Sequence, residues 1–173
     1  MSAISAADLR ARLSQVKLLA LDVDGVLTDG GLYYSDSGEE TKRFHVKDGQ
    51  GLQALRRIGI EVALISGSDS RATLHRAKTL GITYAFVGTK DKLSTLKTLC
   101  QHLGLTLAQV AYVGDDVNDL PVMQAVGCPL TVADARPENR ACALYVTKLG
   151  GGQGAVREIC DDMLKVHADR PLL

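Results

Sequence analysis

The sequence predicts an α/β fold, a doubly wound parallel sheet of Rossmann-like form, on three observations. Short apolar runs recur along the chain, and each ends in Gly, Ser or Asp. Segments with helical spacing of apolar residues follow most of them. The runs are continuous rather than alternating, as strands covered on both faces require. At 173 residues and 46% hydrophobic content, one compact domain spanning 1–173 is expected.

Arg10, Arg12 and Lys17 read as part of a solvated N-terminal helix. Lys17–Leu21 is the first buried strand. Gly30 to Gly49 then breaks the rhythm: Leu32-Tyr33-Tyr34, a turn over Ser35–Gly38, and Glu40–Val46 predict a β-hairpin inserted at about residues 30–48. Glu61–Ile65 is the next strand, and Ser70–Leu80 a helix with Leu74, Ala77 and Leu80 on one side. Tyr84–Val87 is a third strand; Asp91–Leu103 follows as a helix gathering Leu93, Leu96 and Leu99 or Cys100. Gln109–Val113 is the fourth strand, and Cys128–Val132 and Ala143–Val146 are weaker edge strands. Ala155–Leu164 closes the chain with Val156, Ile159 and Met163 or Leu164 inward. Alternation of this kind gives right-handed parallel crossovers. Neither the stretch between Gly25 and Ser66 nor that between Gly67 and Lys92 accommodates a large cap domain.

Composition excludes several functions. Lys plus Arg is 20 and Asp plus Glu is 20, so the net charge is zero, and aromatics are 4% with no Trp. A nucleic-acid surface is therefore not expected. No apolar run is long enough to cross a bilayer, and the N-terminus lacks a signal-peptide core, which predicts a cytoplasmic protein without membrane contact. Cys100, Cys128, Cys142 and Cys160 are scattered without a CxxC pair, and read as reduced, packed thiols. His45, His75, His102 and His167 show no metal-ligand spacing.

Ligands of doubly wound sheets bind beyond the carboxyl ends of the strands. The first strand delivers Asp22-Val23-Asp24-Gly25 there, the second Ser66-Gly67-Ser68, the loop after the third Lys90-Asp91-Lys92, and the fourth Gly114-Asp115-Asp116-Val117-Asn118-Asp119. Taken singly these are ordinary: a surface DxD, a helix cap, a solvated lysine, a turn. Together at one sheet edge they supply hard oxygen ligands for a magnesium ion and cations for phosphate. A calcium loop fails because Leu27 stands where Gly is needed. A phospho-acceptor receiver fails because the third strand ends in Phe86-Val87-Gly88-Thr89, with no Asp at its tip.

The string LALDVDGVLTDGG, with Ser66-Gly67, Lys92 and GDDVNDLPVM, resembles the haloacid dehalogenase superfamily, from about Lys17 to Met163. Asp-Val-Asp-Gly-Val points to its phosphatase branch. The inserted hairpin, FHVKDGQGL, AYVGDDVNDLPVM and GGGQGAVREICD are similar to the capless 3-deoxy-D-manno-octulosonate (KDO) 8-phosphate phosphatase family. The resemblance implies a magnesium-dependent phosphomonoesterase acting on a sugar-acid phosphate in lipopolysaccharide precursor synthesis. It also implies a homotetramer with the hairpin and the GGGQGAVRE segment at interfaces.

Carried over by motif, Asp22 is the nucleophile and Asp24 the general acid and base, their side chains sharing one face of an extended segment. Asp22, the Asp24 backbone carbonyl and Asp115 hold magnesium. Ser66 and the Gly67 amide, at a helix N-terminus, bind phosphoryl oxygens. Lys92 neutralises transition-state charge and steadies Asp22, with Asp116 and Asp119 behind it orienting Lys92 or metal-bound water. His45, Val46, Lys47, Asp48 and Gly49 match a substrate-contact loop, and Arg76 a family arginine. Ser68 departs from the pattern, standing where these phosphatases usually carry Arg. Gln53 stands where an Arg can occur, with Arg71 and Lys47 as candidate replacements for the lost cations. The tail from Val166 to Leu173 is short for the family. Two other readings share the resemblance. One is a phosphatase for nine-carbon deaminoneuraminate or sialate 9-phosphates. The other is a non-catalytic oligomerising domain, opposed by the intact set of Asp22, Asp24, Ser66, Lys92 and Asp115.

Overall fold

The structure, a computed structural model, describes residues 4–168. The part of the predicted short tail at residues 169–173 lies outside them. In chain order the strands are β1 (Leu18–Leu21), β2 (Tyr33–Tyr34), β3 (Glu40–Thr41), β4 (Glu61–Ile65), β5 (Tyr84–Phe86), β6 (Val110–Val113), β7 (Cys128–Thr131) and β8 (Tyr145–Val146). The α-helices are α1 (Ala6–Ser14), α2 (Val46–Arg57), α3 (Arg71–Leu80), α4 (Lys92–Leu103), α5 (Leu120–Met123), α6 (Pro137–Cys142) and α7 (Ala155–Ala168). Six strands form one sheet in the order β5-β4-β1-β6-β7-β8, all neighbours parallel. This is the doubly wound sheet that the apolar runs predict.

Strand β1 takes the middle because all four of its residues are buried. Leu19 and Leu21 point into a core with Leu13 of α1, Leu52 and Leu55 of α2, and Val156, Ile159 and Met163 of α7. Leu18 and Ala20 point into a second core with Leu96, Leu99 and Cys100 of α4 and Met123 of α5. Each fully buried leucine contributes roughly 1.5–3 kcal/mol by leaving water. The register sets Leu21 level with Leu64 and with Val113. The chain segments that leave these three strands therefore emerge at one edge.

Several expectations need correction. The hairpin is real but short, with β2 and β3 alone pairing antiparallel, and Val46, Lys47 and Asp48 belong to α2 rather than to the hairpin. Gly49 and Gly51 hid that helix, because glycine is a poor helix former. A Cβ on Gly51 would stand 2.9 Å from Cys160 Cβ of α7, so the residue is small to let two helices approach. Lys17 lies beyond α1, with its amide donating to the Gln109 carbonyl beside the sheet. β7 is an interior strand between β6 and β8, not an edge. Leu74 is 44% exposed, and α3 buries Thr73, Ala77 and Leu80 instead.

Candidate active site

Asp22 is the first residue past β1, and its amide still donates to the Val113 carbonyl of β6. The ladder thus fixes its backbone while the side chain turns into a buried site. Lys92, the first residue of α4, is also buried. Its ammonium lies 3.0 Å from Asp22 Oδ2 and 2.7 Å from Asp119 Oδ1. Tyr112 of β6 donates its hydroxyl to the same Asp119 oxygen at 2.7 Å. Asp119 Oδ2 accepts from the amides of Asp115 and Asp116 at 3.1 and 3.4 Å. Both Asp119 oxygens are therefore occupied, and its role is to hold Lys92 and the loop after β6. Tyr112 escaped sequence reading because a tyrosine in an apolar strand looks like core alone.

Asp22, Asp115 and Asp119 present carboxylate oxygens within 4.8 Å of one another. Asp115 Oδ1 is buried with no hydrogen-bond partner. Burial, then the charge of Asp119, raises the Asp22 carboxyl to about 6 against the pull of Lys92. Burial and the charges of Asp22, Asp119 and Asp116 raise Asp115 to about 7. Burial alone would lower the Lys92 ammonium, but Asp22 and Asp119 outweigh it and leave it raised. Like charges crowded around an orphaned buried oxygen are the chemistry of a hard divalent-cation site. With Asp119 already engaged, Asp22 and Asp115 are the residues that fit magnesium.

The loop that carries Asp24 is held from beneath. Gly25 has φ +85°, and a Cβ there would fall 2.1 Å from Asp115 Oδ2. The Thr28 hydroxyl accepts from the amides of Gly25 and Gly30 at 3.3 and 3.2 Å. Gly151 and Gly152 are buried against this loop: Cβ atoms on them would lie 1.8 Å from the Gly25 carbonyl oxygen and 2.5 Å from the Asp29 amide nitrogen. The glycine run is thus a close backbone contact within the chain.

The side chain of Asp24 meets a residue that sequence reading missed. Lys42, just past β3, reaches Asp24 Oδ1 and Oδ2 at 2.6 and 2.8 Å. Ser68 Oγ is 3.4 Å from the same nitrogen. Ser66 is fully buried, its Oγ accepting from the Ser68 amide at 3.2 Å. Gly67 precedes the α3 cap, Ser70, by three residues, so its amide belongs to the β4–α3 loop and not to the helix N-terminus.

Asp116 is solvent-facing and does not touch Lys92; its carboxylate accepts from the Val117 amide at 2.7 Å and lies 3.7 Å from Arg136. The expected substrate loop also has internal duties. Asp48 Oδ1 accepts from the Arg157 amide at 2.7 Å. Arg76 donates to the His45 carbonyl at 3.2 Å and sits 5.6 Å from the Phe44 ring centroid. Its guanidinium also lies where a Cβ on Gly49 would be. Val46 and Lys47 are exposed. His45 and Lys47 line a cleft of about 540 Å³ with Tyr145, Lys148, Gln153 and Arg157. Its own carboxylates are Glu158, Asp161 and Asp162, not Asp22, Asp24, Asp115 or Asp119, and among the described residues no hydrogen bond or ion pair joins this loop to the Asp22 cluster.

The haloacid dehalogenase-like hydrolase family profile matches residues 40–127. The 3-deoxy-D-manno-octulosonate 8-phosphate phosphatase of Escherichia coli K12 is 46% identical over 158 residues, covering 91% of this chain and 84% of that protein. The crystal structure of the Moraxella catarrhalis enzyme of that name, in complex with magnesium ion, phosphate ion and KDO, superposes with a TM-score of 0.91 at 42% identity, covering 94% of this chain and 93% of that one. The cobalt-bound form of the Haemophilus influenzae enzyme superposes with a TM-score of 0.87 at 41% identity, covering 91% of this chain and 92% of that one.

Proposed function

The chain belongs to the haloacid dehalogenase-like hydrolases, in the family of the KDO 8-phosphate phosphatases, and from that premise we propose that it hydrolyses KDO 8-phosphate to KDO and inorganic phosphate with magnesium. The observation that carries the reading is the buried triad of Asp22, Lys92 and Asp119 beside the unpartnered Asp115 oxygen.

Asp22 attacks phosphorus; a bond forms to its carboxylate oxygen as the bond to the sugar oxygen breaks. Asp24 gives its proton to the departing alkoxide, then takes one from the water that cleaves the aspartyl phosphate and frees Asp22. Lys92 holds Asp22 Oδ2 in place and faces the charge that develops on the transferring group. Held by Asp22, Asp115 and the Asp24 carbonyl, magnesium supplies positive charge that offsets repulsion between a carboxylate and a phosphate dianion. Ser66 and the Gly67 amide face the phosphoryl oxygens. His45 and the start of α2 through Gly49, with Arg76, contribute to the substrate surface.

The enzyme acts as a homotetramer in the cytoplasm. Leu32, Tyr33 and Tyr34 of the hairpin are 52%, 53% and 62% exposed, an apolar projection suited to a neighbouring copy. The four cysteines are unpaired, as a reducing compartment requires. Among the described residues no helix is long and apolar enough to cross a membrane.

Phosphate release from KDO 8-phosphate, deaminoneuraminate 9-phosphate, sialate 9-phosphate and hexose phosphates, each with magnesium and with chelator, tests the reading. A kcat/KM highest for KDO 8-phosphate and lost on chelation is expected. Preference for a nine-carbon substrate overturns the substrate assignment and makes Ser68 the residue to examine. No release from any of them, by folded metal-loaded protein, overturns the activity.

A further inference from the structure

We propose that Lys42 is a positioning residue for the reaction, holding the Asp24 carboxylate in the orientation from which it exchanges protons with the leaving oxygen and with water. The proposal rests on the acid–base role of Asp24 given above.

Lys42 is carried into the site by the exit of the hairpin, and its side chain is 0% exposed. A buried ammonium is costly unless its protons are taken up. Here both Asp24 oxygens take them up, at 2.6 and 2.8 Å. Two bonds from one nitrogen to the two oxygens of one carboxylate fix the plane of that group and remove its free rotation. Glu40 Oε1, at 3.5 Å, and Ser68 Oγ, at 3.4 Å, also lie beside the ammonium. Glu40 is itself fixed by the Ser70 hydroxyl at 2.7 Å. The Asp24 side chain keeps 29% exposure, so one edge is clamped while another stays open to a ligand. Asp22 is steadied by Lys92 from α4 and Asp24 by Lys42 from the hairpin: each carboxylate of the pair has its own buried lysine. An alkoxide needs a proton to leave and a nitrophenolate does not. A loosened Asp24 therefore penalises sugar phosphates before aryl phosphates.

The test is kcat/KM, which reports the leaving-group step, for KDO 8-phosphate and for p-nitrophenyl phosphate. It is measured on the full chain with magnesium, in wild type, Lys42→Met, Asp24→Asn and the double variant. Lys42→Met is expected to lower the sugar-phosphate value at least ~10-fold more than the aryl value. In the Asp24→Asn background, Lys42→Met is expected to add less than about 3-fold on either substrate. Equal loss on both substrates, or the full loss repeated in the Asp24→Asn background, overturns the proposal and leaves Lys42 a structural ion pair. An Asp24→Asn variant that treats both substrates alike overturns the acid role of Asp24 itself, and the positioning role with it. Should Lys42→Met fail to fold, Lys42→Arg carries the test. It keeps the charge but moves the donors, and the same selective loss on the sugar phosphate is expected, with a uniform loss overturning the proposal.

Discussion

The Lys92 ammonium stands 3.0 Å from Asp22 Oδ2, with 3% and 8% of the two side chains exposed. A lysine this deeply buried keeps its charge because Asp22 and Asp119 together outweigh the cost of burial. Asp119 completes the arrangement from behind, at 2.7 Å.

Asp22→Asn is expected to fold and assemble normally while turnover falls on the order of 10⁴-fold or more. Phosphate release and size-exclusion chromatography check the two halves. Near-normal turnover removes Asp22 from the nucleophile's place.

Tyr112→Phe deletes a single donor to Asp119 and is expected to cost ~1–2 kcal/mol of stability, with activity reduced by less than about 10-fold. Asp119→Ala leaves Lys92 half-paired and two loop amides unanswered, at a cost of roughly 3–5 kcal/mol. Chemical denaturation ranks the two, and an Asp119→Ala no worse than Tyr112→Phe contradicts the supporting role given to that carboxylate.

Without metal, the protein is expected to lose stability as pH rises from about 4 to 7. Asp22 and Asp115 stand at about 6 and about 7 when folded, against roughly 4 when unfolded. Between those limits the folded state binds more protons, so raising the pH works against it. Thermal unfolding in chelator at pH 5 and pH 8 measures this. Magnesium should recover the loss at pH 8, and Asp115→Asn should shrink it. A chelated protein whose midpoint holds steady or rises between these pH values, identically in the variant, contradicts the prediction.

Arg76→Ala removes a hydrogen bond to the His45 carbonyl and a cation–π contact with Phe44. It is expected to lower stability by about 1–2 kcal/mol and to raise KM more than it lowers kcat. A raised KM with an unchanged melting point makes the residue a substrate contact alone, and a lone fall in kcat rules out the binding role.

What could be read from the sequence followed physical pattern. Continuous apolar runs of four or five residues gave away the central strands because a strand covered on both faces is apolar throughout and is too short to be a helix, and Asp22, Ser66, Lys92 and Asp115 follow from strand ends. Helix α2 stayed hidden because Gly49 and Gly51 answer to tertiary contacts with Arg76 and Cys160, not to helix propensity. Lys42 stayed hidden because in a hairpin sequence it is one more surface charge, and only the fold brings it beneath Asp24. Asp116 is expected beside Asp119, behind Lys92, yet its side chain turns to solvent and meets the Val117 amide and Arg136.

The packing of Gly151 and Gly152 on the Asp24 loop also bears on how the chain is made. Synthesis delivers the nucleophile strand first and its floor last, with every other part of the sheet in between. A nascent chain that has emerged as far as β7 already holds Asp22, Asp24, Lys92 and Asp115, yet lacks the backbone against which residues 25–29 rest. Catalytic competence is therefore expected to wait for this segment. A fragment ending before Leu149 is expected to carry every reacting group and turn over nothing, because the glycine turn that precedes α7 is the floor of the loop that follows β1.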